Sequence, residues 1–158
     1  MKRYALPLLL AFALILAACA PSESNVDQTN PQSTSPSGGE ASTSAELTRS
    51  DEQGEVTVKV TPLNLAAPAE SLEFEVVLDT HSVDLSMDLA TLATLATDKG
   101  ITVQATTWDA PRGGHHVEGK LIFPATKDGK TIIEDASKLT LTITDIDAPS
   151  RVFEWPVP

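Results

Sequence analysis

The sequence predicts an all-β protein whose main part is an antiparallel β-sandwich of about seven strands. From Glu55 onward, apolar and polar residues alternate with a period of two, the pattern of a strand with one buried face and one exposed face. Turn-forming stretches separate these segments, for example at residues 98–100 and 127–130. Residues 54–158 are enough for one hydrophobic core.

The first two predicted strands show the alternation plainly. Val56, Val58 and Val60 alternate with polar residues. In residues 72–78 an apolar side chain likewise occupies every second position. Each segment therefore has one face suited to the core and one suited to solvent.

The third and fourth predicted strands form a hairpin around the turn Asp98-Lys99-Gly100. Residues 92–97 precede this turn and residues 101–105 follow it, so we expect the two segments to pair. The same region also carries leucines at a helical spacing: Leu85, Leu89, Leu92 and Leu95. Threonines between these leucines disfavour a regular helix. The pattern therefore indicates a mixed segment, with a short helical turn at residues 88–90.

Three further alternating segments complete the set: residues 117–123, 139–143 and 153–157. The clearest is the second, in which Leu139, Leu141 and Ile143 alternate with threonines. Seven short strands with turns between them are typical of an immunoglobulin-like sandwich. The only cysteine of the chain is Cys19, so this sandwich has no intrachain disulfide.

The N-terminus has the layout of a secretory signal. Lys2 and Arg3 are followed by an apolar run over residues 5–18, which only Pro7 interrupts. As a helix, this run would be about 21 Å long, short of the roughly 30 Å hydrocarbon core of a bilayer. We therefore expect residues 1–18 to be a signal peptide and not a membrane span.

The end of this run, Leu16-Ala17-Ala18-Cys19, resembles the lipobox of bacterial lipoproteins. The resemblance implies cleavage before Cys19 and acylation of that residue by chains such as palmitate. Two or three acyl chains anchor a protein stably, whereas a single chain is marginal. The implied location is extracytoplasmic, lipid-anchored to the cell membrane or the outer membrane. Ala20, where inner-membrane lipoproteins carry Asp, argues against retention in the inner membrane.

The segment between the signal and the alternating region differs in composition from both. Residues 19–53 contain few large apolar side chains and many Ser, Thr, Pro and Gly residues. Such a segment cannot bury enough apolar surface to offset the entropy of ordering it. We therefore expect a lipidated cysteine with a disordered tether over residues 19–53, followed by the sandwich domain over residues 54–158.

The charge and the motif content exclude several functions. Eleven Lys and Arg residues against 22 Asp and Glu residues give a formal charge of -11, which argues against nucleic acid as a partner. A single cysteine excludes CxxC redox sites and thiolate zinc clusters. No GxSxG motif is present, and a lipidated Cys19 has no free thiol to act as a nucleophile. We expect no enzymatic activity and no resident cofactor.

The histidines are the candidates for a metal site. There are three, all within the predicted domain: His81, His115 and His116. Adjacent residues of a strand face opposite sides, so the last two share one ion only if the backbone bends. Gly113 and Gly114 directly precede them and allow such a bend.

Two main interpretations of these histidines stay open, beside a pH-sensitive or ligand contact. In the first, one of the adjacent pair joins His81 and a carboxylate in a zinc or copper site. The candidate carboxylates are Asp79, Asp84 and Asp109. In the second, the imidazoles hold loops in place through hydrogen bonds to acids or backbone carbonyls.

Residues 108–123 and 79–85 resemble segments of small uncharacterised prokaryotic secreted or lipid-anchored domains. This resemblance implies no activity. The first functional hypothesis is therefore a lipid-anchored sandwich that acts as a binding or structural module for another envelope protein or a small ligand. The alternative is an envelope protein that binds zinc or copper through the histidines.

Overall fold

A computed structural model describes residues 46–158 of the chain. Within these residues it has eleven strands and one short helix. In chain order these elements are β1 (Arg49–Asp51), β2 (Val56–Pro62), β3 (Ser71–Thr80), α1 (Leu89–Leu92), β4 (Ala93–Thr97), β5 (Thr102–Gln104), β6 (Thr107–Asp109), β7 (His116–Pro124), β8 (Thr126–Lys127), β9 (Lys130–Thr131), β10 (Lys138–Thr144) and β11 (Ser150–Pro156).

The strands form two main sheets, in which every pair of neighbouring strands is antiparallel. One sheet has the order β1-β2-β3-β7-β6 and the other β11-β10-β4-β5, while β8 and β9 form a separate hairpin. In an immunoglobulin constant-type domain, the A-B-E-D strands face the C-F-G strands. Here the A-B-E-D positions are occupied by β2, β3, β7 and β6, and the C-F-G positions by β4, β10 and β11. The predicted all-β, immunoglobulin-like sandwich is confirmed.

All seven predicted strands are present, and the four additional ones are short. Strands β1 and β6 have three residues each, and β8 and β9 have two each. A period of two cannot be recognised over so few residues, so the alternation test does not find them.

The alternating apolar residues of both sheets meet in one core. Leu141 in β10 is fully buried, while the threonines on either side of it are half-buried. The ring of Phe74 in β3 lies edge-on to Phe123 in β7, with 5.7 Å between centroids. It also contacts Trp155 of the opposite sheet, at 5.4 Å. Aromatic contacts of this kind add to the burial energy of the rings and join the two sheets.

The mixed segment before β4 forms one helical turn followed by a strand. Asp88 caps α1 by accepting a hydrogen bond from the backbone N–H of Ala90, at 3.1 Å. The chain returns to extended geometry at Ala93, where β4 begins. Strand β4 then pairs with β5, with Leu95 opposite Val103. The predicted hairpin is confirmed, as is the short helical turn, which begins one residue later than expected.

Strand β1 lies in the part of the sequence that was predicted to be tether. It pairs with β2, and side chains of residues 49 and 53 also form hydrogen bonds with β11 of the other sheet. The side chain of Arg49 donates to the carbonyl of Glu154 (Nε to O, 3.2 Å), and that of Gln53 donates to the carbonyl of Ser150 (Nε2 to O, 3.3 Å). Residues 46–53 therefore connect the two sheets along one side of the sandwich.

A fully buried arginine holds this segment in place. The guanidinium of Arg151 donates to the carbonyl of Ile146 through Nε (3.1 Å) and Nη2 (3.0 Å). It donates to the carboxylate of Asp51 through Nη1 (2.5 Å), to the Asp51 carbonyl (3.3 Å) and to the Gln53 carbonyl. The five N–H groups of the side chain thus all have acceptors, as a buried guanidinium requires.

The carboxylate of Asp51 is ionised in this arrangement. Burial opposes its negative charge, but hydrogen bonds from Gln53 and the charge of Arg151 outweigh burial, so the pKa of Asp51 lies below its usual value. Arg151 therefore keeps a charged partner at neutral pH.

The folded part thus begins at least as early as Glu46, and the predicted domain boundary at Gly54 is wrong at this point. The segment Arg49-Ser50-Asp51 carries no apolar alternation, so its composition resembles that of a tether. Besides β2, its partners are Glu154 and Arg151, which lie about one hundred residues further along the chain, and composition alone does not reveal them.

The predicted signal peptide, Cys19 and residues 20–45 of the predicted tether lie outside the described residues. Over residues 46–158, no helix has both the length and the apolar character needed to cross a membrane.

Candidate functional site

The sandwich has two distinct ends. One end, which we call the entry end, contains residues 46–48, which lead into β1. There the carbonyl of Leu47 accepts a hydrogen bond from Trp155 Nε1 at 2.6 Å. The register places the first residue of β7, His116, beside Asp79 near the other end of β3. We call this opposite end the far end, and its loops are residues 52–55, 81–88, 110–115 and 145–149.

A surface pocket of about 470 Å³ lies at the far end. Its lining consists of Glu55, Thr57, Asp79, Thr80, His81, His115 and His116. All three histidines of the chain thus come together with one of the predicted carboxylates. Residues from β2, β3 and β7 and from the loops beside them contribute.

Thr80, the last residue of β3, positions the first histidine. Its hydroxyl donates to the carbonyl of Glu55 at 2.8 Å and accepts from the backbone N–H groups of Ser82 and Val83, both at 3.2 Å. A threonine that accepts from the residues two and three positions ahead turns the chain sharply. His81 therefore sits at the turn, directly beside the pocket.

Two glycines position the second and third histidines. Gly113 and Gly114 have φ values of 78° and 105°, which residues with a side chain rarely adopt. The backbone bends there as the sequence suggested, and the carbonyl of His115 then accepts from Thr80 N at 2.9 Å. His116 follows as the first residue of β7.

A short polar contact in the pocket joins His116 and Asp79. These residues are directly opposite in the register of β7 and β3, and His116 Nδ1 lies 2.5 Å from Asp79 Oδ1. Lys59 Nζ lies 3.8 Å from the other oxygen of the same carboxylate. In a neutral imidazole, the short contact places the proton on Nδ1 and leaves Nε2 with its lone pair.

Glu118 faces that second ring nitrogen. It lies two residues after His116 in β7 and so shares its face of the strand. Its Oε2 lies 3.9 Å from His116 Nε2, and the side chains of the two residues are 58% and 60% exposed. Glu118 was not among the predicted site residues, although its spacing from His116 in an alternating strand places it on the same face.

Further along this face, the charges are paired. Lys120 Nζ lies 3.0 Å from Glu73 Oε2 across β7 and β3. The hydrogen bond from Lys120 lowers the pKa of Glu73, against a smaller opposing effect of desolvation. Both groups are partly exposed, so this ion pair adds little to stability.

The structure does not bring every predicted ligand to the pocket. The carboxylate of Asp84 accepts from the backbone N–H of Ser86 at 3.0 Å, which closes a local turn, and Asp84 does not line the pocket. Asp109 lies in β6 opposite Lys120 and does not line it either. Sequence proximity to His81 did not predict where Asp84 points, because its side chain bonds to its own loop.

Among residues 46–158, no three His, Cys, Asp or Glu side chains converge in a way that could hold a metal ion. The predicted set of His81, His115, His116 and Asp79 shares a pocket without forming a closed coordination shell. The contact of His116 with Asp79 agrees with the alternative interpretation, in which an imidazole bonds to a neighbouring acid.

The fold and the site together define the class of protein: an immunoglobulin-like β-sandwich with a pocket of histidines and carboxylates at its far end. No protein-family model matches the chain, and no curated protein matches it. Among solved structures, the chain is similar to a DUF4426 family protein from Pseudomonas aeruginosa PAO1. The sequence identity is 10%, the match covers 68% of this chain and 92% of that chain, and the TM-score is 0.42. Similarity at this level carries no information on function.

Proposed function

We propose that the protein is a lipid-anchored, extracytoplasmic recognition module of the cell envelope, which presents its far end to another envelope protein or a small ligand. The observation that carries the proposal is the position of residues 46–48, at the end of the sandwich opposite the histidine pocket. An anchor upstream of these residues leaves the far end as the part of the domain most distant from its attachment.

The connectivity of the far end supports the same proposal. The loops after β3 and after β10 take the positions of the B–C and F–G loops of an immunoglobulin domain. In variable domains these loops contact the ligand. This is an analogy of fold, and the pocket adds to it a set of polar side chains able to form specific contacts.

The anchoring part of the proposal depends on the sulfur of Cys19. We expect Cys19→Ser to move the protein from the membrane fraction to the soluble extracytoplasmic fraction, or to leave its signal uncleaved, because the acyl chain needs the thiol. Ser22→Ala leaves the sulfur in place and is the matched control. Fractionation locates the protein, and intact-mass measurement shows the modification. An unmodified Cys19 in wild-type protein extracted from membranes would contradict the anchoring.

The recognition part is tested by comparing the two ends of the domain. We expect a photoreactive amino acid at Ser82, exposed at the far end, to form a specific crosslink in cells of the native host. The same amino acid at Lys99, exposed at the entry end, should not form it. Gel electrophoresis with mass spectrometry detects the adducts. Adducts that form only from Lys99, or equally from both positions, would exclude the far end as the recognition surface.

A further inference from the structure

The arrangement around His116 matches one half of a metal centre. A histidine that binds a metal through one ring nitrogen almost always donates its other N–H to a carboxylate or carbonyl. Asp79 takes that role at Nδ1, at 2.5 Å, and the register of β3 and β7 fixes the pair. This contact orients Nε2 and leaves its lone pair free.

A second group able to bind a cation lies on the same side of that ring. Glu118 Oε2 is 3.9 Å from His116 Nε2. Neighbouring ligands of Cu²⁺, which prefers a tetragonal arrangement with angles of about 90°, are separated by about 2.8 Å when the bonds are about 2.0 Å long. The carboxylate of Glu118 would therefore have to move about one ångström closer, which a side chain that is 58% exposed can do by rotation.

The charges near this position also favour a cation. A neutral imidazole with its proton on Nδ1 directs a lone pair toward the negative carboxylate of Glu118, and a metal ion between the two removes that repulsion. An opposing charge comes from Lys59, whose Nζ lies 3.8 Å from Asp79 Oδ2. The chain as a whole has a formal charge of -11, which raises the local concentration of cations.

We propose that His116 Nε2 and the carboxylate of Glu118 form a two-ligand surface site for Cu²⁺, with Asp79 as the residue that orients the imidazole and water in the remaining positions. Among the first-row divalent ions, Cu²⁺ binds nitrogen and oxygen ligands most tightly, and Zn²⁺ binds less tightly. His81 and His115 line the neighbouring pocket and are not ligands. The site thus differs from the set that the sequence predicted, which contained His81 and His115 and omitted Glu118.

The test is a copper titration of the full chain, purified without a histidine tag. Every sample carries Cys19→Ser, so that the thiol does not bind copper. We expect His116→Ala to weaken Cu²⁺ binding at least about tenfold and Asp79→Asn to weaken it by about tenfold, the usual range for loss of an orienting carboxylate. Glu118→Gln should weaken it several-fold. His81→Ala and His115→Ala are matched controls and should change it less than about twofold.

Electron paramagnetic resonance of the copper-loaded chain gives a second readout. We expect coupling to a single nitrogen, which is lost in His116→Ala and kept in His81→Ala. All three histidines are exposed, so these variants should fold, and their melting temperatures without metal verify this. Unchanged binding in His116→Ala, or equal losses in all three histidine variants, would overturn the proposal and show adventitious binding only.

Discussion

A chain that begins at Gly54 is expected to be less stable than one that begins at Glu46 by about 3–5 kcal/mol. The shorter chain lacks Asp51 and Gln53, which provide three of the five hydrogen bonds of the buried Arg151 guanidinium. Removal of one partner from a buried ion pair costs about this much, because the other charge stays buried without compensation. Since domains of this size are stabilised by only about 5–15 kcal/mol, such a loss brings the domain close to unfolding.

Urea denaturation of the two chains measures the difference. A point variant separates the ion pair from the rest of the segment: Asp51→Asn should account for a large part of the loss. Ser50→Ala, which changes an exposed residue of the same strand, should have little effect. Equal unfolding midpoints for the two chains would show that residues 46–53 are not part of the stable domain.

The second large effect is expected in the core. Phe74→Ala, Phe123→Ala and Leu141→Ala should each lower the free energy of unfolding by roughly 2–5 kcal/mol. Each change removes a fully buried side chain, and the loss of transfer energy is added to the cost of the cavity left behind. The losses for the two phenylalanine variants should lie in the upper part of this range, because the two rings also contact each other.

Residues whose side chains lie on the outer face of these strands, opposite the core, provide the control. Glu75→Ala, Thr140→Ala and Thr142→Ala change side chains on the outer faces of β3 and β10. Each should cost under about 1 kcal/mol. Denaturation curves of both sets test the register directly, and similar losses in the two sets would mean that the strands are assigned to the wrong faces.

The sequence predicted the long strands well because their physical signal is local. In β3 the burial alternates over all ten residues, and apolar residues occupy its buried positions from Leu72 to Leu78. Strand β1 was missed because it is short and because its side-chain contacts, with Arg151 and Glu154, reach residues about one hundred positions away. A polar segment of three residues carries no local sign of such partners.

The candidate site shows the same limit. The turn residues around His81 and the glycines before His115 were enough to predict that the histidines lie near bends. The direct pairing of Asp79 with His116 depends on the register between β3 and β7, and a single sequence does not specify which strands are neighbours. Asp84 was included because distance along the chain was the only guide to its position, and its side chain bonds to its own loop instead of lining the pocket.

The contacts of Arg49 and Gln53 with β11 have a consequence for how copies of this protein behave when they are close together. Strand β11 is the edge of its sheet, and a free strand edge is a template on which another chain can add a strand and begin an aggregate. The carbonyls of Ser150 and Glu154 on this edge already accept hydrogen bonds from the chain's own side chains. The exposed Val152 lies between them. We therefore expect the segment that leads into the domain also to limit self-association, so that cleavage before Gly54 removes the ion pair and promotes association through β11.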